Sequence, residues 1–145
     1  MNYENYVLSN FKAISTNESL ARMIVSSFVS STDIGLNDLL DIKTAVSEAV
    51  TNAIIHGYDE KNGEVSMLCA LNDGILHIEI TDYGKGISNI EKARTPLFTS
   101  KPELERSGMG FTVMEMLMDS LEVISEEGKG TKIILTKKIS SNDED

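Results

Sequence analysis

Residues 47–57 read S-E-A-V-T-N-A-I-I-H-G, and this stretch predicts the end of a central helix around which the other elements are arranged. Glu48, Asn52 and His56 occupy every fourth position. On a helix, each of these residues is rotated by only roughly 40° about the axis from the one before, so the three form one polar stripe. The pattern predicts a long amphipathic helix that ends at Gly57. An apolar stripe lies about a quarter-turn round the same helix and must face a core; its members are Leu39, Ile42, Val46, Ala49, Val50 and Ala53.

The residue types in the polar stripe suggest phosphoryl chemistry. The neutral amide oxygen of Asn52 is a suitable ligand for Mg²⁺ when phosphates and waters fill the other positions. Glu48, one turn earlier, can accept a proton from an attacking hydroxyl group or orient it, as phosphoryl transfer to an alcohol requires. The same stripe is also typical of an ordinary exposed helix edge, so the interpretation depends on the motifs downstream.

Length and composition indicate one globular domain. The chain has 145 residues, and we assign 1–139 to a single domain and 140–145 to a flexible acidic tail. Its 23 acidic and 13 basic residues give a formal net charge of −10, which argues against nucleic acid as the main ligand. No apolar run approaches the roughly 20 residues of a membrane span, and no signal-peptide pattern begins the chain. We therefore expect a cytoplasmic protein, whose single cysteine, Cys69, lies in a buried strand.

Periodicity and turn residues predict the layout β-α-α-β-β-lid-α-β-β. The predicted elements are a strand at 5–14, a helix from 15 to about 30, the central helix at 37–57, strands at 64–70 and 75–81, a lid at about 87–107, a helix at 111–119, and strands at 121–125 and 131–138. The fold class is therefore α+β. It is a two-layer sandwich, with helices on one face of a mixed, mainly antiparallel sheet.

Local signals indicate where several elements begin and turn. Ser15 and Glu18 have the spacing of a capping box, and Asn37 can cap the central helix. The triplet N-D-G at 72–74 lies between two alternating segments and predicts a tight hairpin. The predicted buried face of the first helix comprises Leu20, Ala21, Ile24, Val25 and Phe28.

Two glycine-containing motifs follow the central helix. Asp82 ends a predicted strand beside Gly84 and Gly86, where its carboxylate can accept a hydrogen bond from an exocyclic amine; an ordinary Asp-Gly turn is the alternative. The sequence G-M-G at 108–110 precedes a helix, whose backbone N–H groups and dipole favour phosphate. By itself each motif is a weak signal.

The lid supplies the cations nearest to the second glycine motif. Lys101 and Arg106 precede it, and a polyphosphate needs counter-charge. The alternative is that both side chains are solvated among neighbouring glutamates. A segment this long and aperiodic is expected to be a functional lid or disordered.

Taken together and in chain order, the four motifs are a more specific signal than any one of them alone. The set is E-x-x-x-N-x-x-x-H at 48–56, D-x-G-x-G at 82–86, G-x-G at 108–110 and G-T at 130–131. It resembles the nucleotide-binding fold shared by gyrase, Hsp90, histidine kinases and MutL. Within that superfamily the chain is similar to the anti-sigma F factors of spore-forming bacteria, which are serine kinases. The stretches that carry this similarity are S-E-A-V-T-N-A-I-I-H-G-Y at 47–58 and P-L-F-T-S-K-P-E-L-E-R-S-G-M-G-F at 96–111.

The resemblance implies a role for each matching residue. Glu48 would be the catalytic base, and Asn52 the Mg²⁺ ligand. Asp82 would read the amino group of adenine, with Thr131 nearby through water. The other residues that the resemblance assigns to ATP or ADP are His56, Gly84, Gly86, Lys101, Arg106, Ser107, Gly108, Met109 and Gly110.

The resemblance also implies partners. A homodimer would hold a sigma factor inactive and, with ATP and Mg²⁺, phosphorylate a serine on an anti-anti-sigma antagonist, without direct contact to nucleic acid or membrane. Two alternatives stay open: a stand-alone histidine-kinase-type catalytic domain, and an ATP-dependent binding module without phosphotransfer. Arg22 lies off the buried stripe of its helix and is a candidate for a partner surface, with a solvated arginine as the alternative.

Overall fold

A computed structural model describes residues 2–58, 62–94 and 110–139. The predicted order of the strands and of the three longer helices is confirmed, and a short helix at 90–93, within the predicted lid, was not predicted. The strands are β1 (Asn5–Lys12), β2 (Glu64–Asn72), β3 (Ile75–Asp82), β4 (Ser120–Glu126) and β5 (Gly130–Lys138). The helices are α1 (Thr16–Val29), α2 (Leu36–Asn52), the short α3 (Ile90–Ala93) and α4 (Gly110–Leu117), and a π-helical turn, Ala53–Gly57, continues α2. The predicted tail at 140–145 and most of the predicted lid lie outside the described residues.

The five strands form one sheet in the order β1-β2-β3-β5-β4. All four pairings of the described strands are antiparallel, so the expectation of a mixed sheet is wrong. The reason is the position of β5. β3 and β4 run in the same direction, but they do not pair with each other. β5 lies between them, runs in the opposite direction and pairs with both. The α+β class itself is confirmed, with the helices on one face of this sheet.

The β2–β3 hairpin closes in the predicted way. Asn72 and Ile75 are opposite each other, so the turn has two residues, Asp73 and Gly74. Both have positive φ, 52° and 75° respectively, as a type I′ turn requires. The turn matches the twist of the strands, which fixes their register and hence which side chains face the helices.

The core lies between the sheet and the helices. Along β3, Leu76, Ile78 and Ile80 are at most 1% exposed, while the intervening His77 and Glu79 are partly exposed on the other face. The predicted apolar stripe of the central helix is also confirmed. Ile42, Val46, Ala49, Val50 and Ala53 are buried, and Leu39 packs against the core with part of its surface exposed.

The first helix buries a narrower face than predicted. Its buried residues are Ala21, Val25 and Val29, which follow one another at four-residue intervals. Ile24 and Phe28 are only partly buried, and Leu20 is 42% exposed. α1 packs mainly against α2 and contacts the sheet near the edge strand β1. One line of small and branched side chains is therefore sufficient for its packing against α2.

Neither predicted helix cap forms. Ser15 has helical φ and ψ and makes no side-chain capping hydrogen bond. Glu18 instead accepts a hydrogen bond at 2.5 Å from the Ser47 hydroxyl and so joins α1 to α2. The N-cap position of α2 is Gly35, in extended backbone, and Asn37 lies inside the first turn. A tertiary contact therefore takes the carboxylate that the local motif would have used.

Cys69 lies in β2 and is fully buried, as expected. Burial raises the pKa of its thiol to about 12, so the reactive thiolate is absent at neutral pH. Within the described ranges, no helix combines the length and the apolar character that a membrane crossing requires.

Candidate functional site

A cavity of about 700 Å³ opens between the end of α2, the loop after β3, the start of α4 and the β4–β5 turn. It is large enough for a nucleotide-sized ligand. Its lining residues are Asn52, His56, Gly57, Asp82, Lys85, Gly86, Ile87, Ser88, Asn89, Ala93, Gly110, Phe111, Glu127, Gly128, Thr131 and Ile133.

The fold brings together six of the residues that the sequence singled out. Asn52, His56, Asp82, Gly86, Gly110 and Thr131 all line this cavity, although they come from four separate parts of the chain. Glu48 and Gly84 are not among the lining residues; Glu48 is partly buried one helical turn before Asn52. The other five lie outside the described residues: Lys101, Arg106, Ser107, Gly108 and Met109.

The central helix changes its winding where it meets the cavity. Regular α-helix ends at Asn52, and the next five residues form a π turn in which the Tyr58 N–H donates to the Ala53 carbonyl at 3.1 Å. A π turn accommodates one more residue than an α turn and is frequent at functional sites. His56 therefore departs from the ideal four-residue stripe, but it still reaches the cavity wall.

Asn52 presents an unsatisfied polar group at this wall. Its Nδ2 atom is buried and has no hydrogen-bond partner within the described part of the chain. A buried amide group without a partner is costly and rare in folded proteins. The N and O atoms of an amide are assigned from their partners, so a 180° flip would present the oxygen instead. Asn52 therefore lines the cavity and carries a buried amide atom that the described residues leave unpaired.

The carboxyl group of Asp82 is a buried ionisable group in this cavity. It is 6% exposed, and its Oδ1 accepts a hydrogen bond from the Gly84 N–H at 2.9 Å. Burial raises the pKa of this carboxyl above its usual value, although the Gly84 and Thr131 N–H groups act in the opposite direction. Thr131 also shares a hydrogen bond with the Ser125 hydroxyl at 2.8 Å. The carboxylate is thus held rigidly at the cavity floor.

Close backbone packing explains two of the glycines. A Cβ on Gly57 would lie 2.8 Å from the Asp82 carboxyl, and one on Gly84 would lie 2.0 Å from the Gly57 carbonyl oxygen. The Lys85 N–H donates to that same carbonyl at 2.9 Å. The end of the central helix and the loop after β3 therefore need glycine in order to meet. Gly84 supports the floor of the cavity through this contact, and Gly86 is part of its lining.

Sequence reasoning missed the second loop of the site. Glu127 and Gly128 line the cavity because the Gly128 N–H donates to the Lys85 carbonyl at 2.6 Å, which joins the β4–β5 turn to the loop after β3. Apolar walls come from Ile87, Phe111 and Ile133. The glycines at 128 and 130 were the available signal, but the pairing of β5 with β3 was needed to connect them to Asp82.

Arg22 lies elsewhere. Its guanidinium donates to the Ser19 hydroxyl at 3.1 Å and is 3.9 Å from Glu18, and its side chain is 40% exposed. It is not among the residues that line the cavity. Its assignment to a partner surface stays a prediction.

The burial of Asp82 leads to a stability prediction. Because its pKa is raised on folding, ionisation of Asp82 destabilises the folded state at neutral pH, and this penalty disappears as the pH falls below the usual carboxyl range. We expect Asp82→Asn to raise the melting temperature of the nucleotide-free protein at pH 7 and to raise it less at pH 3–4, as measured by calorimetry. A lower melting temperature at pH 7, or a difference that does not change with pH, would contradict this account.

The fold and the cavity define a class of protein. Residues 11–137 match the family described as the histidine kinase-like ATPase domain. The anti-sigma F factor of Clostridium acetobutylicum is 58% identical over 137 residues, which cover 94% of this chain and 96% of that relative. The anti-sigma F factor of a Geobacillus species is 56% identical, with 91% of each chain covered. The chain therefore belongs to the anti-sigma F factor family within the histidine kinase-like ATPase domains.

A solved structure supports the same fold. The chain superposes on a crystal structure of the RsbU and RsbW domains of a Mycobacterium tuberculosis protein with a TM-score of 0.68 and 20% identity. The match covers 93% of this chain and 32% of the other, so the chain spans about a third of that longer protein. At this identity the likeness concerns the fold alone.

Proposed function

We propose that the protein is an anti-sigma factor and an ATP- and Mg²⁺-dependent serine protein kinase that phosphorylates its anti-anti-sigma antagonist. One observation carries the proposal. The buried Asp82 carboxylate lines the same cavity as Asn52, whose Nδ2 has no partner among the described residues, in a chain of the ATPase-domain family. A carboxylate suits the amine of a base, and an amide suits the ion that accompanies phosphates, so the two groups match the two ends of ATP.

Three further lining residues fit this orientation. Ile87 and Ile133 supply apolar surface, on which a purine can pack, and Asp82 supplies a hydrogen-bond acceptor for its amine. Gly110 begins α4, where free backbone N–H groups and the helix dipole favour the phosphates. Lys101 and Arg106, which lie outside the described residues, stay candidates for phosphate counter-charge.

Asn52 also fits an accompanying Mg²⁺ ion. No cluster of three or more His, Cys, Asp or Glu side chains able to hold a metal occurs in the described ranges. A Mg²⁺ ion here would thus take few protein ligands and fill its other positions with phosphate oxygens and waters, as Mg²⁺ commonly does. When bound, the ion would offset phosphate charge; Asn52 would hold it through the amide oxygen.

Glu48 is proposed as the base. It lies one turn before Asn52 on the rigid part of α2, and its side chain is only partly exposed. When a serine hydroxyl attacks the γ-phosphorus, a serine O–P bond forms, the bond from that phosphorus to the β,γ-bridging oxygen breaks, and ADP leaves. The serine loses its proton in this step, and the Glu48 carboxylate is proposed to accept it. The chain's own contribution is thus to hold ATP by its two ends and to receive one proton from the acceptor.

The partners rest on the relatives and on the resemblance. The name shared by the relatives, anti-sigma F factor, supports a sigma factor as the inhibited partner. The antagonist and the homodimer stay predictions. The second face of the sheet offers surface for such contacts at its β1 edge, because Tyr6 and Leu8 are each more than half exposed there.

The proposal is tested by following the phosphate. The protein is incubated with γ-labelled ATP and a lysate of its own organism, then separated by electrophoresis with acid and alkaline treatment. We expect label on one small protein as acid-stable phosphoserine, and none that lasts on this chain. The Asn52→Ala variant in the same lysate is the control for labelling by other kinases.

Other outcomes would favour the two alternatives. Acid-labile label on His56 or His77 would indicate a histidine-kinase-type domain; His56 lines the cavity, and His77 lies on the sheet, 2.7 Å from Glu79. ATP binding with no labelled acceptor would indicate a binding module without transfer.

A further inference from the structure

The hydroxyl group of Tyr58 occupies an unusual position between two strands. It donates a hydrogen bond to the Glu64 carbonyl at 2.7 Å and accepts one from the Tyr83 N–H, also at 2.7 Å. Tyr58 directly follows the π turn and belongs to neither strand. One side chain from the end of the central helix therefore links the beginning of β2 to the residue after β3.

The strand register explains what this link replaces. Val65 is opposite Asp82, so continuation of the antiparallel ladder would next pair Glu64 with Tyr83. The Tyr58 hydroxyl is inserted between the carbonyl and the N–H that such a pair would join. The β2–β3 ladder therefore ends at Asp82, and the backbone beyond it is free to turn towards Gly84 and the cavity.

The ring of Tyr58 is fixed as firmly as its hydroxyl. A Cβ on Gly63 would lie 2.5 Å from the ring, so the Gly63 backbone packs directly on it. Gly57, the neighbour of Tyr58, packs against the Asp82 carboxyl and accepts the Lys85 N–H through its carbonyl. Tyr58 and Gly57 therefore hold the segment that directly follows Asp82, through the N–H groups of Tyr83 and Lys85, and Gly57 also packs against the Asp82 carboxyl.

We propose that the Tyr58 hydroxyl is a positioning group that sets the orientation of Asp82 and thereby the selectivity of the cavity for a base with an exocyclic amine. The proposal rests on the proposed nucleotide site and adds a residue that does not touch the ligand. Tyr58 is not among the residues that line the cavity, so it acts through the backbone N–H of Tyr83, the residue after Asp82, and through the Glu64 carbonyl on the neighbouring strand. Loss of the hydroxyl would leave the Tyr83 N–H and the Glu64 carbonyl without this partner and allow the ladder to re-form or loosen.

The test compares ATP with purine riboside triphosphate, which differs from ATP only in lacking the amine. Affinities of both ligands are measured by calorimetry for the wild type, Tyr58→Phe, Asp82→Asn and the double variant. Tyr83→Phe is the matched control, because its side chain is 64% exposed and its N–H is unchanged. We expect Tyr58→Phe to reduce the ratio of ATP affinity to purine riboside triphosphate affinity roughly fivefold or more. Tyr83→Phe should leave this ratio unchanged. In the Asp82→Asn background, Tyr58→Phe should have no further effect on it.

The outcomes separate the inference from the function on which it rests. A Tyr58→Phe variant that weakens both ligands equally, or neither, overturns the positioning role while the nucleotide site stands. A wild type that binds the two ligands equally overturns base recognition by Asp82 and the inference together. Amide hydrogen exchange of the wild type gives a measurement that needs no variant. The Tyr83 N–H is expected to be protected despite its exposed side chain, and rapid exchange there would also overturn the inference.

Discussion

Glu48→Gln is expected to bind ATP as the wild type does and to transfer phosphate roughly 10²–10⁴-fold more slowly, the usual range for loss of a general base. The substitution retains the shape of the side chain and removes only its capacity to accept a proton. The measurements are ATP affinity by calorimetry and the rate of phosphoserine formation on the acceptor in single turnover. A large fall in rate at unchanged affinity is the signature of a group that acts in the transition state.

Glu122→Gln is the matched control for this experiment. Glu122 is exposed on β4, on the face of the sheet away from the helices, and the substitution changes net charge by the same amount. We expect wild-type rates from it. Because Glu48 is not among the residues that line the cavity, unimpaired transfer by Glu48→Gln would remove the base assignment and leave ATP binding intact.

Asn52→Ala is expected to lose the Mg²⁺-dependent part of ATP binding, which we put at roughly 100-fold in affinity. The variant removes the amide whose buried Nδ2 has no partner in the part of the chain that the structure describes, and neither neighbour on the polar stripe can replace it with a neutral oxygen. Calorimetry with Mg²⁺ and with EDTA separates the two contributions. In EDTA the variant and the wild type should bind ATP with similar, weak affinity.

Stability provides a second measurement on the same variant. Removal of an amide whose buried Nδ2 is unpaired within the described ranges should leave the melting temperature of the nucleotide-free protein unchanged or raise it, since such a group is costly. Asn37→Ala, an exposed asparagine in the first turn of the same helix, is the control. Equal Mg²⁺ dependence in Asn52→Ala and the wild type would contradict the ligand assignment.

The sequence alone predicted the elements and most of the buried face. The stripe of Ile42, Val46 and Ala49, the alternation along β3 and the N-D-G hairpin are periodic or short-range signals, and each is present in the structure. They could be predicted because helix and strand periods follow from backbone geometry and do not depend on distant partners. The resemblance based on the spaced motifs similarly led to the family that the comparisons establish.

Features that depend on residues far apart in the chain were decided by the tertiary structure. The Glu18 carboxylate bonds Ser47 and not its own helix start, because a contact between two helices outcompetes a local cap. β5 lies between β3 and β4, which makes the sheet antiparallel and brings Thr131 beside Asp82. Neither choice leaves a local pattern that periodicity could detect.

The site shows the same division most clearly. Sequence determined which residue types could carry the chemistry: an amide and a carboxylate on one helix, and an aspartate among glycines. Tertiary structure decided that the helix widens into a π turn after Asn52, that Gly57 contacts the Asp82 carboxyl, and that the Tyr58 hydroxyl ends the β2–β3 ladder. These contacts join segments that are distant in sequence and meet only when the core has packed, so their geometry follows from the packing of the whole domain.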